Sequence, residues 1–107
     1  MEKYIKDGKV AILVSPEYGA GWSTWNIDCP EMLYDPTIVD ILLNNDDMET
    51  VIEKVKSVCT LKYPDAYMGG LEDLHVVWLD VGTEFIIEEF DGAESLRIKN
   101  EIDWMVA

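Results

Sequence analysis

The residues best suited to chemistry lie at positions 15–26, which read SPEYGAGWSTWN. We call this stretch the tryptophan loop. Its glycines allow backbone angles and close approaches that other residues forbid, and its aromatic side chains offer flat surfaces with polar tips. This composition predicts a recognition loop, in which the aromatics stack on a ligand while Ser23, Thr24 and Asn26 hydrogen-bond to it. The alternative is a structural crossover whose tryptophans fill the core.

A second stretch, residues 67–70 (YMGG), is a candidate second wall of the same site, and we call it the glycine loop. The turn near residues 90–95 is a third candidate wall. Stacking, hydroxyl contacts and close backbone approach suit a base and a ribose, so the predicted ligand is small and nucleotide-like. The chain has few cations to bind the phosphates of a nucleotide, so the alternative is a weakly charged ligand. The predicted ligand-binding residues are Tyr18, Gly19, Gly21, Trp22, Ser23, Thr24, Trp25, Asn26, Tyr67, Gly69, Gly70, Asp91 and Glu94.

The tryptophan loop matches no standard catalytic or phosphate-binding motif. A Walker loop needs Gly-Lys-Ser/Thr, and a Rossmann loop needs a third glycine that opens a helix. The nucleophile elbow G-x-S-x-G fails because Trp25 stands where its second glycine belongs. A triad would have to recruit His75, the single histidine, from across the fold. We therefore predict no catalytic residues. The enzyme hypothesis ranks last, and it needs a carboxylate from residues 84–94 acting with Ser23 or His75.

Metal and cofactor sites are not predicted either. No His/Cys spacing suits zinc, and residues 44–47 (NNDD) lack the glycine and glutamate of a calcium loop. Cys29 and Cys59 are expected to be reduced thiols, the second of them buried. Lys9 and Arg97 are candidate anchors for a phosphate or carboxylate, with surface solubility as the alternative.

The formal net charge of −14 comes from 22 acidic and 8 basic residues. It argues against direct binding to nucleic acid, where affinity comes from lysine and arginine, and against anionic membrane surfaces. One explanation of such a charge is solubility alone. The other is an acidic surface that binds in a basic groove of a partner protein. The alternative function is therefore a protein–protein inhibitor.

The chain's length of 107 residues predicts one domain, residues 1–107. No apolar run reaches the roughly 20 residues of a membrane span, and the N-terminus lacks the features of a secretory signal. A cytoplasmic location is expected.

The tryptophan loop is expected to follow an interior strand. Asp7-Gly8 predicts a tight hairpin turn, residues 10–14 read as the apolar second strand, and Pro16 ends that strand. Residues 29–34 predict one helical turn, and Asp35-Pro36 opens a helix to about Leu43.

A second helix is predicted to begin with Asp46 as its cap and Glu49 completing a capping box. Its apolar stripe is Met48, Val51, Ile52, Val55, Val58 and Cys59. Strand-like runs follow at residues 75–79, 84–90, 95–99 and 102–106, and their short connections predict an antiparallel meander. The expected fold is a two-layer α+β domain, with a mainly antiparallel sheet and two or three helices on one face.

The string GAGWSTWN at residues 19–26 resembles a family of small uncharacterised proteins of bacteriophage and bacterial genomes. The shared segments are residues 7–11, the tryptophan loop, residues 65–67 with 69–70, and residues 90–92 with 94–95. The resemblance covers most of the chain and implies a phage-linked context without an activity. In the host cytoplasm, such a protein would sequester a defence signal or inhibit a host nucleic-acid-binding or defence protein. Self-association that completes a site is a further expectation.

Overall fold

A computed structural model describes residues 1–17 and 21–99. Its strands are β1 (Ile5–Lys6), β2 (Lys9–Val14), β3 (His75–Asp80), β4 (Phe85–Phe90) and β5 (Ala93–Ile98), and its helices are α1 (Pro36–Asn44) and α2 (Met48–Lys62). Three 3-10 turns cover Ser23–Trp25, Pro30–Leu33 and Leu71–Asp73. The strand predicted at residues 102–106, and the predicted site residues Tyr18 and Gly19, lie outside the described residues.

The predicted α+β class is confirmed, and β2 is the central strand of an antiparallel sheet ordered β1-β2-β3. The hairpin turn forms at Asp7 and Gly8, whose φ angles of 53° and 77° are those of the predicted tight turn. Both helices lie on one face of this sheet, where their apolar residues meet Ala11 and Leu13 of β2. The tryptophan loop begins where β2 leaves this core.

The predicted meander is divided between two sheets, because β3 pairs with β2 while β4 and β5 form a separate antiparallel hairpin. Two long-range hydrogen bonds lie at the ends of β2 where the two sheets separate. The N–H of Val81 donates to the carbonyl of Gly8 (2.9 Å), which draws the chain after β3 towards the first hairpin turn. At the other end of β2, the N–H of Glu94 donates to the carbonyl of Ser15 (2.9 Å) and docks the second hairpin there.

Helix α1 starts as predicted, with Asp35 accepting hydrogen bonds from the N–H groups of Thr37 and Ile38. The predicted capping box of α2 is wrong. Asp47 caps that helix instead of Asp46, and its carboxylate accepts from the N–H (3.1 Å) and the hydroxyl (2.6 Å) of Thr50.

The apolar stripe of α2 is buried at Val51, Val55 and Cys59, whereas Met48 is 54% exposed at the first position of the helix. Within residues 1–17 and 21–99, no helix is long and apolar enough to cross a membrane.

Candidate functional site

The tryptophan loop is closed by one buried carboxylate, that of Glu94 in β5. Its Oε1 accepts from the N–H of Ser15 (2.9 Å), at the start of the loop. Its Oε2 accepts from the N–H groups of Trp22 (3.0 Å) and Thr24 (3.1 Å) and from the hydroxyl of Thr24. A carboxylate only accepts, at about four lone-pair positions. Glu94 is 3% exposed and is engaged by the protein's own donors, so it holds the loop together instead of facing a ligand.

The side chain of Asn26 joins the tryptophan loop to the glycine loop. Its Nδ2 donates to the carbonyls of Trp22 (2.7 Å) and Tyr67 (2.8 Å), and its Oδ1 accepts from the N–H of Tyr67 (2.7 Å). The amide therefore pairs with both backbone groups of Tyr67, as a neighbouring strand would. The predicted proximity of the two loops is confirmed, although Asn26 is buried and its polar atoms are used within the protein.

The glycines bring the two loops into backbone contact. A Cβ atom on Gly70 would lie 2.5 Å from the carbonyl oxygen of Gly21 and 2.8 Å from Oγ of Ser15. That serine hydroxyl donates to the carbonyl of Gly70 (3.0 Å). The close approach predicted between backbone and ligand is thus made here between one loop and the other. Gly69 is exposed and lies against the ring of Tyr67.

The two tryptophans of the loop have opposite surroundings. Trp22 is fully buried, and its indole N–H donates to the carbonyl of Met32 (2.7 Å). It therefore belongs to the core and offers no face for stacking. Trp25 is 41% exposed and lies beside Tyr67, which is 43% exposed. The two ring centroids are 5.0 Å apart and the ring planes are inclined by 38°. We call these two residues the aromatic pair.

Acidic side chains border the aromatic pair. Glu89 is the cross-strand partner of Glu94, and its carboxylate accepts from the indole N–H of Trp25 (3.0 Å) and the N–H of Gly92 (2.9 Å). These hydrogen bonds, that of Trp25 first, lower the pKa of Glu89 below its usual range, so it is ionised at neutral pH.

Cys29 follows the tryptophan loop in the chain. Burial, and then nearby acidic charges, raise the pKa of its thiol. Those charges belong to Glu31, Asp28 and Asp65.

Ser23 and Thr24 are half-buried beside a groove of about 570 Å³ that runs between the tryptophan loop and β4. Its other walls are mainly apolar and include Ile27, Tyr34, Phe85 and Ile87. Asp91 is exposed in the turn of the second hairpin, with a φ of 49°, and no hydrogen bond links its side chain to the described part of either loop. The structure therefore separates the predicted residues into buried supports and a smaller exposed surface.

Of the residues named for the catalytic alternative, Ser23 and Glu84 line the same groove. His75 is exposed at the start of β3, opposite Val14, and within the described chain no hydrogen bond joins it to Ser23. Across residues 1–17 and 21–99, no group of three or more His, Cys, Asp or Glu side chains is placed to hold a metal ion.

The chain matches no protein-family model, no curated protein and no solved structure. Its function must therefore be inferred from the site itself.

Proposed function

We propose that this protein is a small acidic binding protein without turnover, whose recognition surface is the aromatic pair. One observation carries the proposal. Trp25 and Tyr67 come from distant parts of the chain, yet they are held with their centroids 5.0 Å apart while each stays more than two-fifths exposed. Burial in the core explains the position of Trp22, but it does not explain the positions of Trp25 and Tyr67. Rings that are already held next to each other lose little conformational entropy when a ligand binds.

The surroundings of the pair narrow the class of ligand. A flat aromatic face suits the stacking of a base or another planar group. The polar groups of the loops are already engaged by Glu94 and Asn26, so hydrogen bonds to the ligand would be few. Ionised Glu89 beside Trp25 disfavours a phosphate near the rings. A nucleotide-like ligand would therefore be held by its base, with any phosphate directed away.

In the phage-linked context that the sequence resemblance implies, the ligand would be a host signalling nucleotide. The protein would then hold this signal away from its receptor in the host cytoplasm.

A nucleoside panel tests the proposal. The four ribonucleosides are titrated while thermal unfolding and tryptophan fluorescence are followed, because a ligand that binds only the native state raises the melting temperature. At least one nucleoside is expected to raise it. Stacking contributes about 1–3 kcal/mol per base, so Trp25→Leu or Tyr67→Leu should weaken binding about 5- to 100-fold. Leu61→Ala is the control, since Leu61 is 86% exposed on α2 and belongs to neither loop.

Melting curves that stay flat for every nucleoside would refute the nucleotide version. Binding that survives both aromatic substitutions would refute the proposed surface.

The second candidate is an inhibitor that covers a basic surface of a host nucleic-acid-binding or defence protein. Among the described residues, every Asp and Glu is exposed except Asp35, Asp73 and Glu94. A planar arginine side chain could stack on the aromatic pair while it pairs with Glu89.

Native mass spectrometry of complexes captured from host lysate tests this candidate. A protein partner should be captured at low salt, lost at high salt and lost with Trp25→Leu. The candidate fails if no partner is captured at low salt. The same spectra report whether the chain self-associates.

A further inference from the structure

A second cleft lies at the opposite end of β2 from the tryptophan loop. Its volume is about 640 Å³, which is within the range of small-molecule sites. It opens between the first hairpin and the carboxyl end of α1. The lining side chains that carry the argument are Tyr4, Lys6, Asp7, Lys9, Asn44 and Trp78.

The two lysines of this cleft stand directly opposite each other. Lys6 and Lys9 are cross-strand partners in the first hairpin, so their side chains project from the same face. Like charges in this position repel. The ion pairs within the described chain involve Lys62, Arg97 and Lys99, so Lys6 and Lys9 have none there, like Lys3, Lys54 and Lys56. Asp7 lines the cleft and Asp80 stands opposite Lys9 in β3, yet neither forms an ion pair with a lysine there.

What distinguishes Lys6 and Lys9 is that two ammonium groups without an ion pair among the described residues stand side by side in one cleft. The negative end of the α1 dipole, near Asn44, offsets part of their repulsion. The helix dipole does not bind the N–H groups of the two lysines. No side-chain hydrogen bond from Lys6 or Lys9 is present within the described residues. A bound anion would satisfy both charges and donors.

Aromatic side chains supply the remaining walls. The rings of Tyr4 and Trp78 meet edge to face, with centroids 5.9 Å apart, and both pack against the core. Asn44 donates its amide hydrogens to the backbone and side-chain oxygens of Asp40 (both 2.9 Å), so its own side-chain oxygen remains an acceptor. The cleft therefore offers aromatic surface, an acceptor and two cations.

We propose that this cleft binds a planar ligand that carries one phosphate, such as a nucleoside monophosphate. The phosphate lies between the ammonium groups of Lys6 and Lys9, and the base contacts Tyr4 or Trp78. Two lysines match the charge of about −2 on one phosphate, and the described lining of the cleft holds no further cation for a longer phosphate chain. This site is separate from the aromatic pair, and it contains the cations that the tryptophan loop lacks.

Calorimetric titrations at low salt with AMP, adenosine and ribose 5-phosphate test the proposal. AMP is expected to bind at least tenfold more tightly than either fragment, and to shift the NMR signal of the Trp78 indole. The double variant K6Q/K9Q should weaken AMP binding at least tenfold. The control K56Q/R97Q makes the same change of charge at exposed positions of α2 and β5 and should leave AMP binding unchanged.

The proposal is overturned if AMP binds no more tightly than adenosine, or if both double variants weaken AMP binding equally. Both lysines are exposed, and circular dichroism checks that K6Q/K9Q is folded. A negative result for this cleft would not refute the proposed function of the aromatic pair. Nucleoside binding at that pair is tested with Trp25→Leu and depends on neither lysine.

Discussion

Replacing Glu94 by glutamine should destabilise the protein more than any other single change of charge at an acidic residue of the second hairpin. The substitution keeps the size and shape of the side chain and removes its charge. One carboxylate there accepts from three backbone N–H groups and a hydroxyl, all within the tryptophan loop. A glutamine has only one side-chain oxygen, which can accept either from Ser15 or from Trp22 and Thr24. Its NH2 group must then face the other donors.

The magnitude follows from the two sides of the carboxylate. A hydrogen bond to a charged group contributes about 1.5–3 kcal/mol, against about 0.5–1.5 kcal/mol for a neutral one. If the glutamine oxygen faces Trp22 and Thr24, each of those donors loses roughly 1 kcal/mol. The amide then faces the N–H of Ser15, and a buried donor left unpaired costs about 1–3 kcal/mol. Over the three hydrogen bonds from Trp22 and Thr24 and the one from Ser15, the expected total is about 4–6 kcal/mol, a large part of a typical domain's stability of about 5–15 kcal/mol.

Urea unfolding measures this loss, and Glu88→Gln is the matched control. Glu88 lies on the same hairpin, but it is exposed and paired with Arg97 (3.1 Å), so its replacement should cost only about 0–1 kcal/mol. Hydrogen exchange adds a local measurement, because the amides of Ser15, Trp22 and Thr24 should exchange faster in the Glu94 variant. The reasoning is refuted if Glu94→Gln unfolds within about 0.5 kcal/mol of the wild type and leaves those amides protected.

Two further predictions concern the core around the loops. Gly70→Ala should destabilise by about 2–3 kcal/mol in urea unfolding, because the new methyl group meets the backbone of Gly21. Gly69→Ala should cost less, since the atoms nearest its methyl group belong to the exposed side chain of Tyr67 and not to the backbone, and equal costs would contradict this explanation. Burial, and then the charge of Asp35, raise the pKa of Cys59 from 9.0 to about 11. Since the folded-state pKa is the higher one, its stabilising contribution is complete below pH 9 and is lost as the pH rises towards 11. At pH 10 the loss is about 1.4 kcal/mol, measured as a lower urea midpoint than at pH 8, and Cys59→Ala should reduce this difference. Equal wild-type midpoints at the two pH values would contradict the assignment.

Local residue patterns account for the parts of the fold that could be predicted. Asp7 and Gly8 adopt positive φ as their sequence requires, and Asp35 before Pro36 starts α1. The start of α2 could not be placed to the residue, because Asp46 and Asp47 are equally good caps in sequence. Thr50 decides between them, since its N–H and hydroxyl both bond to Asp47.

The division into two sheets depends on contacts between residues far apart in sequence. The four-residue connection between β3 and β4 is compatible with pairing and with separation. The structure shows separation, with hydrogen bonds of Gly8 to Val81 and of Ser15 to Glu94, and no pattern within either strand indicates these long-range contacts. The tryptophan loop itself was predictable from composition. Whether each of its side chains faces the core or water was not, since Trp22 and Trp25 lie three residues apart with opposite exposure.

The second hairpin explains why the loop needs its unusual composition. Glu89 and Glu94 are cross-strand partners, so two carboxylates project from one face of a two-stranded sheet, an arrangement that repels. The loop supplies donors to both, with backbone N–H groups on Glu94 and the indole of Trp25 on Glu89. These donors of the loop are therefore explained by docking the hairpin. The exposed faces of Trp25 and Tyr67 are not explained in this way, because the indole bonds to Glu89 through its edge and neither face is needed for that contact. The recognition surface proposed above is therefore limited to these two rings.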